Sequence, residues 1–296
     1  MIVNAAAVQA IFLNLNSTFN DAFSAYKPLY ARVATEVPSS TREESYNWMA
    51  NLPKMREWLG PRVIQNLSKY NYSILNRDFE LTIGVDRNDI EDDKLGIYQV
   101  QAKGIARATA SHPDELVFGL FPAGFASLCF DGHPFFHDSH PLGPDGMMQS
   151  NLGHGALTAA NFAAAKAQMS SLVDEAGRPL NIMPDLLVVP PQLEGAARTI
   201  LNAELIGGST NIWRNSCDLL VVPALASDPT KWYLIDSKQP VMPFIFQRRK
   251  APQFVQKTNP EDEKAFMEKL FLFGVDSRDN AGLGLWQLAY GSDGTQ

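Results

Sequence analysis

Residues 83–120, IGVDRNDIEDDKLGIYQVQAKGIARATASHPDELVFGL, constrain this chain more than any other stretch. They begin as the end of an alternating strand and turn at Asp86. A long helix is expected to follow, with Asp89, Glu91, Asp92 and Asp93 crowding its opening turns, where the helix dipole favours negative charge. Leu95, Tyr98, Ala102, Ile105 and Thr109 recur at spacings of three and four, which places them on one face. Ser111 and Asp114 read as a capping box that restarts or kinks the helix at Pro113. Leu116, Val117 and Leu120 carry the apolar face on to Pro122. A helix of this length is a spine on which the other elements must pack.

What precedes the spine reads as two excursions. Residues 1–38 form a helix with Ile11, Phe12, Leu15, Phe19 and Phe23 on one face, then an arm kept extended by Pro28 and Pro38. That helix either docks on its own domain or reaches across a neighbouring subunit. Residues 39–85 read as a long two-stranded excursion. Its first strand covers 45–52, and its second alternates Phe79, Leu81, Ile83 and Val85 with small or polar residues. Between them lie Arg56, Glu57, Trp58, Leu59, Arg62, Val63 and Lys69, preceded by Arg42. Aromatic and arginine side chains of this kind are typical of protein–protein contact. A bare hairpin of this length is marginal in water, so it must be covered, by a neighbour or by its own domain.

After the spine the pattern changes. Residues 128–239 read as an α/β region. It has an Ala-rich helix at 161–173, capped at Thr158 and ending at Gly177, and a second helix at 193–206. Wholly apolar runs at 185–189, 219–222 and 232–235 suit buried strands. Loops 142–155 and 205–216 are expected to move. Residues 240–296 return to antiparallel strands at 244–246, 253–257, 266–275 and 283–290, with a turn at 279–282.

Chemistry-bearing motifs are sparse. His133, His137 and His140 lie among Asp131 and Asp138 and are weak zinc candidates; a metal-dependent hydrolase is the alternative they would support. Pro134 and two phenylalanines separate His133 from His137, so the helical His pair of zinc enzymes is not met. No phosphate loop, dinucleotide fingerprint or Gly-x-Ser-x-Gly occurs, so no catalytic residue and no cofactor is expected. The net charge of −7 argues against sequence-independent nucleic-acid binding. Arg248-Arg249-Lys250 is the one dense basic run, suited to an acidic partner on a neighbouring subunit or to nucleic acid. Two cysteines, Cys129 and Cys217, suggest a reducing compartment without disulfides. No Lys or Arg precedes Lys27 and no apolar run reaches membrane length, so neither a leader nor a membrane span is expected.

The order of arm, long hairpin, spine helix, α/β insertion and returning antiparallel strands resembles the Hong-Kong-97-type coat proteins of tailed phages. The blocks SSTREESYNWMANLPKMREWLGPRVIQNL (39–67), FELTIGVDRNDIEDDKLGIY (79–98), HPDELVFGLF (112–121), FDGHPFFHDSHP (130–141), QRRKAPQF (247–254) and FLFGVDSRDNAGLGLWQLAYG (271–291) narrow it. They resemble the major head subunits of Mu-like transposable phages. The resemblance covers most of the chain and is weakest across 142–215. It implies an α+β capsid fold: N-terminal arm 1–38, extended loop (E-loop) 39–85, peripheral domain 86–127 with 240–296, and axial domain 128–239. It implies a non-enzymatic subunit that forms hexamers and pentamers closing an icosahedral shell around double-stranded DNA. Assembly would take place in the host bacterial cytoplasm. The implied partners are other copies of the chain, a separate scaffolding protein, a portal and a decoration protein. Contacts between copies would run through Arg42, Arg56, Glu57, Trp58, Leu59, Arg62, Val63, Lys69, Arg248 and Arg249. Some relatives crosslink an E-loop lysine to a neighbouring asparagine. Nothing marks Lys54 or Lys69 as activated, so no crosslink is expected.

Overall fold

The computed structural model describes residues 5–46, 72–92, 96–142, 147–174, 177–259 and 262–295. Helix α1 (Ala5–Ala25) is followed by β1 (Ala34–Pro38), β2 (Glu43–Ser45), β3 (Ser73–Leu75) and β4 (Arg77–Asp86). Ile11, Leu15 and Phe19 of α1 are buried, as the spacing predicts, and the helix lies on its own chain.

The expected single long helix is two. Asp86 caps the short helix α2 (Arg87–Glu91), its carboxylate accepting from the Asn88 amide at 2.7 Å. The spine proper, α3, runs Gly96–Ala123. Asp86 and Asp89 thus serve the corner: the Tyr98 hydroxyl donates to Asp89 at 2.6 Å, tying the two helices together. Tyr98, Ala102, Ile105, Val117 and Phe121 form the buried face.

Helix α3 runs unbroken through Pro113, so no new helix starts there. The proline's missing amide hydrogen bond would ordinarily break a helix. Here Pro113 itself is buried and Asp114 does not cap. Its carboxylate instead accepts from the Leu29 amide (2.8 Å), the Tyr30 amide (2.6 Å) and the Tyr26 hydroxyl (2.8 Å). The segment leaving α1 is thereby pinned to the middle of the spine.

Next come β5 (His140–Leu142), β6 (Met147–Gln149), β7 (Leu152–Gly153), α4 (Ala159–Ser170) and β8 (Leu186–Val189). Then follow α5 (Glu194–Asn202), β9 (Leu205–Ile206), β10 (Ser209–Thr210), β11 (Asp218–Val221) and β12 (Trp232–Ile235). Thr158 caps α4 as expected, but the helix stops at Ser170, well before Gly177. Helix α5 stops at Asn202 because Leu205–Ile206 turn back as a two-residue hairpin. Gly207 and Gly208 sit at φ +57° and +83° in that turn, a backbone that side chains disfavour.

The last third holds the larger departures: β13 (Phe244–Lys257), α6 (Glu263–Glu268), β14 (Leu270–Leu283) and β15 (Ala289–Ser292). Phe266 and Met267 belong to a short helix, not a strand, and Lys269 closes it in the left-handed region at φ 58°. No turn forms at 279–282; β14 runs through it. Asn280 donates to the Leu75 carbonyl at 2.7 Å, and a Cβ at Gly282 would collide with Ile74.

Two sheets result. The first has the order β1-β13-β14-β4, with α1 and α3 on it; β1 is parallel to β13 and the rest antiparallel. The second has the order β11-β8-β12-β15-β7. The segment expected to complete the peripheral unit thus gives its last strand to the other sheet, where β15 pairs with β12 and β7. Phe121 of the spine joins the two: its ring lies 4.9 Å from Tyr233 and 4.4 Å from Phe244. No helix among the described residues is long and apolar enough to cross a membrane.

Candidate assembly interface

The base of the residue 39–85 excursion is built around Gln247, which has no exposed surface. Its side chain donates to the Ile74 carbonyl (3.1 Å) and the Asn76 side-chain oxygen (2.7 Å) and accepts from the Tyr46 hydroxyl (2.8 Å). Asn76 in turn donates to Ser39 and to the Thr41 carbonyl, both at 2.8 Å. The Tyr46 amide closes the pair by donating to the Tyr72 carbonyl at 2.8 Å, and the Leu283 amide donates to the Tyr72 hydroxyl at 2.8 Å. A buried polar network with filled partners fixes one geometry, because leaving any member unpaired is costly. Tyr46 and Tyr72, the described residues on either side of 47–71, are therefore tied to each other and to the first sheet. Arg42 stands exposed on this base. Arg56, Glu57, Trp58, Leu59, Arg62, Val63 and Lys69 lie outside the described residues.

Glu44 locks the turn that leads into the base. One carboxylate oxygen accepts from the Ser40 and Thr41 amides and from the Ser39 and Thr41 hydroxyls, at 2.8–3.1 Å. These bonds, the Ser40 amide first, hold its pKa down at about 2. A carboxylate lowered on folding contributes stability above its unfolded value, lost as pH falls through its folded one. The base should therefore loosen between about pH 4.5 and about pH 2. Glu44→Gln should show the loosened state already at pH 7. Cleavage at the 39–46 turn by a protease active at neutral pH would read this; cleavage at the native rate in Glu44→Gln would refute it.

The basic run divides by residue. Arg248 is committed to its own chain: it lies 2.7 Å from Glu36, donates to the Tyr30 hydroxyl at 3.1 Å and covers the Phe246 ring at 5.0 Å. Lys250 pairs with Asp276. Arg249 points outward and is exposed.

The histidine cluster does assemble. The His133 and His137 rings are 4.9 Å apart, and His140 lies 6.3 Å from the first and 5.7 Å from the second. The donor atoms that come within 4.8 Å of one another, however, belong to Cys129, Asp131 and His140. Those atoms are already used. One Asp131 oxygen accepts from the Cys129 thiol and the His133 amide, each at 3.0 Å, and the other lies 2.6 Å from His140 Nδ1. Burial raises the Asp131 pKa, but the His140 hydrogen bond, with help from Cys129, brings it net below the usual carboxylate value. Burial pushes the Cys129 thiol up, away from the thiolate a metal would need.

His140 also stacks on Trp286 at 4.0 Å, with the rings 6° from parallel. Its Nε2 lies 3.2 Å from Asn151 Oδ1. Asn151, fully buried, donates to the carbonyls of Phe135, Trp286 and Ala289 and accepts from the His137 amide. The cluster is a polar knot joining the loop after α3 to β15. Sequence reading missed Asn151 and Gln247 and gave Asp114 a local capping role, because a polar residue carries no local mark of being buried.

A spine helix laid on a four-stranded mixed sheet, a short β2–β3 pair beside it, and a five-stranded second sheet define a shell-forming subunit of the Hong-Kong-97 type. The procapsid subunit of bacteriophage JBD30 has this fold: TM-score 0.64 at 33% identity, over 98% of this chain and 76% of that one. A virus-like particle of Pyrococcus furiosus shares the fold at 11% identity and TM-score 0.53, over 94% of this chain and 97% of its own. The family model for the Mu-like prophage major head subunit gpT matches residues 8–156, 146–225 and 226–295, and the chain belongs to that family. It is 31% identical to the major capsid protein of Escherichia phage Mu over 98% of this chain and 74% of that protein. It is 30% identical to the FluMu major head subunit of Haemophilus influenzae over 97% of this chain and 73% of that protein. These are structural capsid proteins, not enzymes. The hydrolase alternative is dropped.

Proposed function

We propose that copies of this chain tile the head shell through the 47–71 segment, which lies over the adjacent subunit of the same capsomer. The rigid base at Tyr46, Tyr72 and Gln247 carries this reading. Residues 47–71 carry Trp58, Leu59, Val63, Arg56 and Arg62, and that base fixes the residues on either side of them. Trp58, Leu59 and Val63 supply apolar anchors, while Arg42, Arg56, Glu57, Arg62, Lys69 and Arg249 supply charged contacts. Aromatic and arginine positions concentrate binding energy at interfaces, at about 2 kcal/mol or more each. The peripheral unit is the first sheet with α1 and α3, and the axial unit is the second sheet with α4 and α5. Shell growth uses a separate scaffold and a portal in the host cytoplasm, and the closed shell holds double-stranded DNA without sequence-specific contact. A trimeric minor capsid protein decorates the JBD30 capsid, and an equivalent decoration is proposed here.

Trp58→Ala should abolish stable capsomers while leaving a folded monomer. Sedimentation with negative-stain imaging reads the outcome, and normal rings or shells would remove the loop from its assigned role.

A further inference from the structure

The two cysteines lie against different partners. Cys129 is buried, and its thiol donates to the Asp131 carboxylate. Cys217 is half-buried and faces an amine. Lys166 Nζ donates to the Cys217 Sγ at 3.4 Å and to the Ser216 carbonyl at 2.9 Å. The second bond, to the residue next to Cys217, holds the amine in place over the sulfur. Reacting atoms about 3–3.5 Å apart are already at attack distance. The two residues come from separate elements, Lys166 from the middle of α4 and Cys217 from the position just before β11. Beside them opens a cavity of about 470 Å³, lined by Lys166, Ser170, Asp185, Ser216 and Lys238. The amine end of the pair is therefore open to small molecules.

We propose that Lys166 and Cys217 form an oxidative crosslinking site, at which hydrogen peroxide joins Nζ to Sγ as a sulfenamide. In the first step the Cys217 sulfur attacks one peroxide oxygen. An S–O bond forms, the O–O bond breaks, and the departing hydroxide takes the thiol proton as water. Sulfur is oxidised to the sulfenic acid and the peroxide is reduced; sulfenic acids condense with a nearby thiol or nitrogen. In the second step the Lys166 ammonium gives one proton to solvent, and its lone pair attacks sulfur. The S–N bond forms, the S–O bond breaks, and hydroxide leaves with a second Nζ proton as water. The chain loses two hydrogens and gains no atom.

Burial raises the Cys217 thiol above its usual value, and the Lys166 charge acts against that rise. A thiol held protonated oxidises slowly, because the thiolate is the nucleophile. The pair stays open in a reducing cytoplasm and closes where oxidant persists. On the shell reading above, that is after a particle has left the cell. The link closes a loop that contains β8, α5 and the β9–β10 hairpin. It restricts the unfolded chain as a disulfide does.

The chemistry needs one chain only, so it stands or falls apart from the shell reading. The test uses the full-length chain, purified under reducing conditions and then exposed to hydrogen peroxide. After chymotryptic digestion, mass spectrometry should show the peptides holding residues 166 and 217 joined. The joined pair should be lighter than their sum by two hydrogens and should separate in dithiothreitol. The unfolding midpoint should rise on oxidation and return on reduction. Lys166→Arg keeps the positive charge but stays protonated, so it supplies no nucleophilic nitrogen. In that variant dimedone should capture Cys217 as the sulfenic acid, with no joined peptides and no rise in midpoint.

A Cys217 left as free thiol after peroxide treatment would overturn the proposal. So would a Cys217 carried to sulfinic acid beside an unmodified Lys166. Joined peptides that persist in Lys166→Arg would place the bond on another residue and overturn it as well. The wild-type peptide map decides alone if the variant does not fold.

Discussion

Asn151→Ala should destabilise the isolated subunit by about 4 kcal/mol, because each buried polar group left without a partner costs about 1–3 kcal/mol. The substitution strips a donor from the carbonyls of Phe135, Trp286 and Ala289 and an acceptor from the His137 amide and His140. Asn151 has no exposed surface, and its neighbour His140 stacks on Trp286. Asn151→Asp is the informative companion. It keeps the acceptor but removes both donors and sets a carboxylate against three carbonyls, so it should be at least as damaging. Urea unfolding reads both: the midpoint should fall while the slope stays constant. A loss under 1 kcal/mol for either variant would mean that the knot is not the clamp between the 128–140 loop and β15.

Phe121→Ala should cost about 4 kcal/mol, the middle of the range for removing a buried phenylalanine ring. The ring has no exposed surface and touches Phe118 of its own helix, Tyr233 of the second sheet and Phe244 of the first. The cavity would open where the two sheets meet the spine. Neighbours from three rigid elements cannot collapse into it, which is the circumstance that makes such deletions severe. Phe121→Leu, which refills most of the volume, should cost under half as much. Equal losses for the two variants would show that ring packing at this junction is not what holds the sheets to the spine.

The spine was legible because its apolar residues repeat at three and four and nothing overrides them. Its start was not. Asp86 through Asp93 read as the opening of one helix, whereas the Asp86 cap belongs to a separate turn of helix and the spine begins again at Gly96. Pro113 and Asp114 carried a local stop signal that tertiary contacts overruled, because the carboxylate serves the distant Leu29 and Tyr30 amides instead. Asp279-Asn280-Ala281-Gly282 is a good turn sequence in isolation. It becomes strand because β3 lies against it, where Gly282 leaves room for Ile74. The histidines were recognised as a cluster, and their rings do meet. Their role depends on Asn151 and Trp286, which no spacing rule connects to them.

The strand order also dictates when the subunit becomes competent. Strands β13 and β14 are the two inner strands of the first sheet, and β15 lies inside the second, between β12 and β7. Residues 244–292 therefore supply interior strands to both sheets. Until they emerge from the ribosome, β1 and β4 have no partners in the first sheet, and β7 is severed from β12 in the second. Synthesis proceeds from the N-terminus at about 5–20 residues per second, and such distant pairings close slowly. A nascent chain cannot present either finished surface to its neighbours. Neither sheet is complete before residues 244–292 have been made, so the folding of both waits on that one stretch.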